Sequence, residues 1–146
     1  MSFQPLQCKT LAFKSKKDFT HSALEIQAND FNQTTGNLIS SVFSNVLTIV
    51  LFYIPETSLI DNYIGCDYEN IARSYLGDNT IMITRLDVSK SGVSALVKNF
   101  KYSSIGSGSI IAYINGSYCS DISANRRYDQ LKSWITNYKK LQKCSF

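Results

Sequence analysis

Val46-Leu47-Thr48-Ile49-Val50-Leu51-Phe52-Tyr53-Ile54-Pro55 is a nearly continuous apolar run closed by a proline. Rich in Val, Ile, Leu and aromatics, and too short for a long helix, it predicts a central strand buried on both faces. Such a strand requires helices above and below it. The run is about half the length that a membrane span requires. C-terminal to it, Ile60, Ile64, Tyr68, Ile71 and Tyr75 predict one face of a helix from about Leu59 to Tyr75. Ser58 and Asp61 form its N-cap pair, and Gly77 closes it. Thr80 to Val88 alternates as a second strong strand. Ser91 to Phe100 reads as a short helix with Val93, Val97 and Phe100 inward.

Further along, Ser109–Ile114 and Ser117–Ile122 flank Asn115-Gly116, the strongest short-range hairpin signal. The last helix, about Arg126 to Lys143, carries Tyr128, Leu131, Ile135, Tyr138 and Leu141 as its apolar stripe. Arg127, Lys132, Lys139, Lys140 and Lys143 surround that stripe. N-terminal to the central run, Leu38, Ile39, Val42 and Phe43 predict a first helix, and Leu24 to Gln27 a short strand. Residues 1–22, with Lys9, Lys14, Lys16 and Lys17, form an N-terminal extension, and 23–146 a single domain. The order β-α-β-α-β-α-β-β-α predicts an α/β fold: a central mixed sheet, helices on both faces and an antiparallel edge hairpin.

The 146 residues are 44% hydrophobic and 18% charged, which excludes wholesale disorder. A net charge of +4 is too mild to argue for nucleic acid on its own. A solvated face is the default for the lysines of the last helix, so nucleic acid is not an expected partner. Met1 to Asp30 shows no signal-peptide core, so the expectation is an intracellular or virion-bound protein with no membrane span. Heavy use of Ser, Ile, Asn, Lys and Tyr accompanies AT-rich coding sequence, as in many large DNA viruses and some protists.

The element order and several short blocks resemble the thioredoxin family, including its protein disulfide isomerase domains, from about Ala23 to Lys143. Phe52-Tyr53-Ile54-Pro55 is similar to the Phe-Tyr-Ala-Pro that precedes the redox motif there. Leu24-Glu25-Ile26 looks like the first strand, and Arg85-Leu86-Asp87-Val88 like the Lys-Leu-Asp-Val strand end. Lys101-Tyr102 and Ser109 to Gly116 are similar to the Lys-Tyr … Thr-Leu-Leu-Leu-Phe-Lys-Asn-Gly block. Arg126/Arg127 … Leu131 … Trp134-Ile135 resembles the isomerase-like ending. The resemblance implies a thioredoxin-like fold.

It also implies a Trp-Cys-x-x-Cys segment at the second helix start, and here the chain departs. One register places the two cysteine positions at Thr57 and Ile60, the other at Ser58 and Asp61. A thiolate at a helix N-terminus is stabilised by unsatisfied N–H groups, and a second thiol must resolve the mixed disulfide. Ser, Thr, Ile and Asp cannot exchange thiols. The buried carboxylate of active members falls on Leu51 or Phe52, both apolar. Their cis-proline falls on Gly108, within a loop that includes Ser107 and Ser109. A non-proline cis bond costs about 2.5–4 kcal/mol, which predicts a trans, remodelled loop.

The expectation is therefore a redox-inactive thioredoxin-like domain, with no cofactor and no metal, that works by binding protein. It would act as an adaptor or as a structural component of an assembly, such as a minor virion or capsid-associated protein. The binding surface would be Pro55, Glu56, Leu59 and Tyr63, facing the Ser107–Ser109 loop, with Tyr118 a further exposed contact. An oligomer is compatible with the chain. The competing expectation is thiol–disulfide exchange or redox sensing through a relocated cysteine, Cys66 or Cys119. Cys8, Cys66, Cys119 and Cys144 lack C-x-x-C spacing, so a zinc knuckle is not indicated; inert thiols are the plain alternative. Cys8 and Cys144 lie near the two chain ends, where a crosslink would fit. His21, Gly106-Ser107-Gly108 and the two Asn-x-Ser/Thr triplets read as tail, loop and coincidence.

Overall fold

In the computed structural model, residues 22–54, 65–100, 105 and 108–144 are described. The apolar run forms the middle strand of five. β2 (Leu47–Tyr53) pairs in parallel with β3 (Ile81–Asp87) and antiparallel with β4 (Ser109–Ile114). Outside these lie β1 (Leu24–Glu25), parallel to β3, and β5 (Ser117–Asp121), antiparallel to β4. The strand order is β1-β3-β2-β4-β5. Every residue of β2 is buried, as a strand covered on both faces must be.

Alternation along β2 divides the interior into two layers. Leu47, Ile49, Leu51 and Tyr53 face α1 (Gly65–Ser74) and α3 (Tyr128–Leu141), where Tyr68, Ile71, Leu131, Trp134, Ile135 and Tyr138 meet them. Val50 and Phe52 face α2 (Val93–Lys98) and the connection before β2. There Phe31 touches the rings of Phe52, Phe100 and Tyr113, with centroids 6.3, 5.5 and 6.1 Å away. The two layers are pinned through the sheet. The Tyr68 hydroxyl lies against the carbonyls of Ile49 and Thr84, and the Thr84 hydroxyl donates to Ile49 O at 2.8 Å. Burial pushes the Tyr68 phenol well above its ordinary pKa, so it stays a neutral donor.

The fold class, the sheet and the hairpin agree with the sequence reading. Asn115 and Gly116 both take positive φ, +52° and +79°, as a two-residue hairpin turn requires. α3 buries Trp134 and leaves Leu141 46% exposed, so the stripe is shifted from the predicted one. The predicted first helix is absent. Residues 41–43 form one 3-10 turn, with Leu38 and Phe43 buried but Ile39 and Val42 exposed at 61% and 58%. Its backbone hydrogen bonds go elsewhere: Leu38 N donates to Gly116 O, and Ile39 N to Asp30 O. Ser40, Ser41, Ser44 and Asn45 compete with helical hydrogen bonding, which explains the outcome. Of the helix predicted from Leu59, the part described begins at Gly65.

Candidate functional site

The family site would lie where β2 and β3 end and β4 begins. Thr57, Ser58, Ile60, Asp61, Pro55, Glu56, Leu59, Tyr63 and Ser107 fall outside the described residues, as do Cys8 and the N-terminal extension before Ser22. Gly108 and Ser109 are described. Ser109 opens β4 opposite Phe52. Gly108 has φ of +90°, its N–H donates to Phe52 O at 2.7 Å, and its carbonyl accepts from Arg126 Nε at 3.1 Å. A proline could neither reach that φ nor donate that bond. Among the described residues there is no cis peptide.

Leu51 and Phe52, where active members would carry a buried carboxylate, are fully covered at 2% and 0% exposure. Register places Arg85 directly across from Leu51, and β1 then supplies the acid from the far side of β3. Glu25 Oε1 lies 3.5 Å from Arg85 Nε and accepts from the Tyr53 hydroxyl at 2.6 Å; Oε2 accepts from Asp87 N at 3.3 Å. The Arg85 guanidinium stands 5.8 Å from the Tyr53 ring centre. Burial, reinforced by Glu25, holds the Tyr53 phenol far above its ordinary pKa, and burial lowers that of Arg85. The tyrosine is fixed as a donor to Glu25, whereas Arg85 Nε and Nη1 are buried without a hydrogen-bond partner among the described residues and rest on the ion pair with Glu25. Sequence reasoning used Glu25, Arg85 and Asp87 only as marks of resemblance. Their shared strand parity with Tyr53 is the signal that would have grouped them.

α1 is buried along Gly65–Ala72, including its charges. Glu69 accepts from Ser22 N at 2.8 Å and Ser22 Oγ at 2.6 Å, and pairs with Arg73 at 3.1 Å. Asp67 pairs with Arg127 at 2.6 Å. Buried charges survive when partnered in this way.

Neither candidate for a relocated redox cysteine is a free thiol. Cys66 is 0% exposed and disulfide-bonded. Cys119 is bonded to Cys144, with Cα atoms 5.6 Å apart. Tyr118 is half-buried, and its N–H donates to Asn37 Oδ1 at 2.9 Å, which ties down part of β5. Among the described residues no group of acidic, His and Cys side chains could hold a metal ion. Nor is any described helix long and apolar enough to cross a membrane.

A mixed five-stranded sheet in this order, with α1 and α3 on one face and α2 on the other, defines a thioredoxin-like fold. No protein-family model matches the chain, and no curated protein matches it. Solved structures do. The Trx4 domain of ERdj5 is similar with a TM-score of 0.56 at 17% identity, covering 84% of this chain and 97% of that one. Thioredoxin f2 of Chlamydomonas reinhardtii aligns with a TM-score of 0.54 at 11% identity, covering 82% and 96%. The zinc-bound form of human ERp44 aligns with a TM-score of 0.53 at 15% identity, covering 80% of this chain and 30% of that one. At these identities the likeness establishes the fold.

Proposed function

We propose that the chain is a thioredoxin-like domain without thiol–disulfide exchange activity at the family site, acting by binding protein. The observation that carries this reading is the distribution of its cysteines. None stands between Pro55 and Gly65, and Cys66 and Cys119 are both committed to disulfides. The occupied, left-handed Gly108 corner supports it, since that corner has no proline to face a redox motif.

The binding surface we assign is Pro55, Glu56, Leu59 and Tyr63 with the loop Ser107–Ser109, in the role of adaptor or structural component. Disulfides persist in oxidising settings, virion surfaces among them. A virion-associated role accords with that and with a composition that large DNA viruses share with some protists. The test places a photo-crosslinking residue at Leu59 or Tyr63 and, as control, at Ser133 on the exposed side of α3. The reading expects one defined protein adduct from the first two sites and none from the third. Equal, diffuse labelling at all three would remove the assigned surface. Exchange through a relocated cysteine remains the second reading; of its two candidates, Cys119 is half-buried and Cys66 fully buried.

A further inference from the structure

We propose that the Cys119–Cys144 disulfide is a reversible clip, opened by an external protein dithiol while the domain stays folded. This is independent of whether the family surface binds a partner. Three observations carry it.

The first is access. Cys119 sits mid-strand on β5, which has a neighbouring strand, β4, on one side only, and both Cys119 and Cys144 are half-buried. Cys66, by contrast, is completely buried, so its own sulfur is shielded from an attacking thiolate. The second is that the core does not depend on the clip. α3 is anchored by Leu131, Trp134, Ile135 and Tyr138, all N-terminal to its end at Leu141. The third is a held conformation. Gln142 turns the chain back from α3 with φ of +55°, its N–H donating to Tyr138 O at 2.7 Å. A non-glycine residue seldom keeps that geometry unless its surroundings hold it. The Gln142 side chain, whose Nε2 donates to Lys139 O at 3.0 Å, and the bond to Cys144 two residues on are such restraints.

The exchange balances as a two-electron step. One thiolate of the dithiol attacks one sulfur of the clip, the other sulfur leaves as a thiolate and takes a proton. The second thiol of the reductant then displaces the mixed disulfide, leaving two cysteine thiols here and a disulfide in the reductant. Opening releases residues 142–144, and with them the exposed Lys143, from β5. Neither freed thiol stands at a helix N-terminus, so neither gains the thiolate stabilisation that makes family members fast donors. The pair accepts electrons without being a rapid catalyst.

The full-length protein, equilibrated across a series of thioredoxin-type dithiol redox buffers, would be quenched by alkylation and mapped by peptide mass. Circular dichroism would be read at each poise. Cys119 and Cys144 are expected to titrate together while Cys66 stays unmodified and the far-ultraviolet signal is unchanged. Amide exchange should rise about ten-fold or more over residues 142–144 in the opened form. Opening that coincides with loss of the far-ultraviolet signal, or with modification of Cys66, would make the bond a structural staple and overturn the proposal. So would Cys119 and Cys144 resisting every poise the folded protein survives.

Discussion

Gly108 meets two constraints that a proline cannot: φ of +90° and an N–H donated to Phe52 O at 2.7 Å. Restoring the family residue is therefore expected to harm this chain. Gly108→Pro should cost about 3 kcal/mol or more, and Gly108→Ala about 1–2, read as denaturant midpoints at unchanged slope. Two other residues set pH limits. Hydrogen bonds from Thr80, with Lys139 at 3.0 Å, hold the Asp78 carboxyl down to about 2 from 3.8. Its contribution is complete above the ordinary carboxylate value and is lost as pH falls toward the depressed one, so Asp78→Asn should flatten the acid limb of stability. Burial pushes the half-buried Tyr75 phenol up to about 12 from 10.0, where the neutral form is the folded one. That contribution is complete below the ordinary value and is lost as pH rises toward the higher one. Tyr75→Phe, which keeps the ring 4.1 Å from Lys132 Nζ, should flatten the alkaline limb. The sequence showed that Gly108 replaces proline. It could not show that the position needs both a left-handed φ and an N–H donor, because both follow from how the chain enters β4 beside the distant Phe52.

Among elements, the β4–β5 hairpin is the most sharply specified. A Cβ on Gly116 would lie 2.5 Å from the Leu38 carbonyl oxygen, at φ of +79°. Gly92 has a similar φ of +85° and nothing within 4 Å. Gly92→Ala should therefore cost about 1 kcal/mol from backbone strain alone. Gly116→Ala should cost clearly more in the same denaturation experiment, and equal costs would mean the Leu38 approach is soft. The central strand and the hairpin were legible because a continuous apolar run, buried at every residue of β2, and an Asn-Gly turn are local signals. The segment from Leu38 to Phe43 misled because its apolar spacing is helical. Its hydrogen-bond partners, Gly116 and Asp30, are tertiary and invisible to a local window. Trp134 likewise lies outside the stripe that apolar spacing predicts for α3, although it stacks on Tyr138 at 5.9 Å within the core.

For the whole molecule, the cysteines decide the reading. The sequence revealed that none occupies a redox-motif position. It could not reveal the pairing of Cys119 with Cys144, which depends on α3 returning its end to β5. Closing that loop, with a sequence separation of 25, should stabilise the domain by about 3 kcal/mol. Cys144→Ser and Cys119→Ser should lower the denaturant midpoint alike, with no further loss in the double variant. Since α3 stays anchored by its own apolar residues, the single variants are expected to fold. The most direct test of the central claim is reduction of insulin by the full-length protein in the presence of dithiothreitol. The account predicts a rate no greater than dithiothreitol alone, for wild type and for Cys119→Ser equally. Acceleration by the wild-type chain that disappears in Cys119→Ser or Cys66→Ser would contradict it and place a working redox centre at the cysteine whose loss abolished the rate.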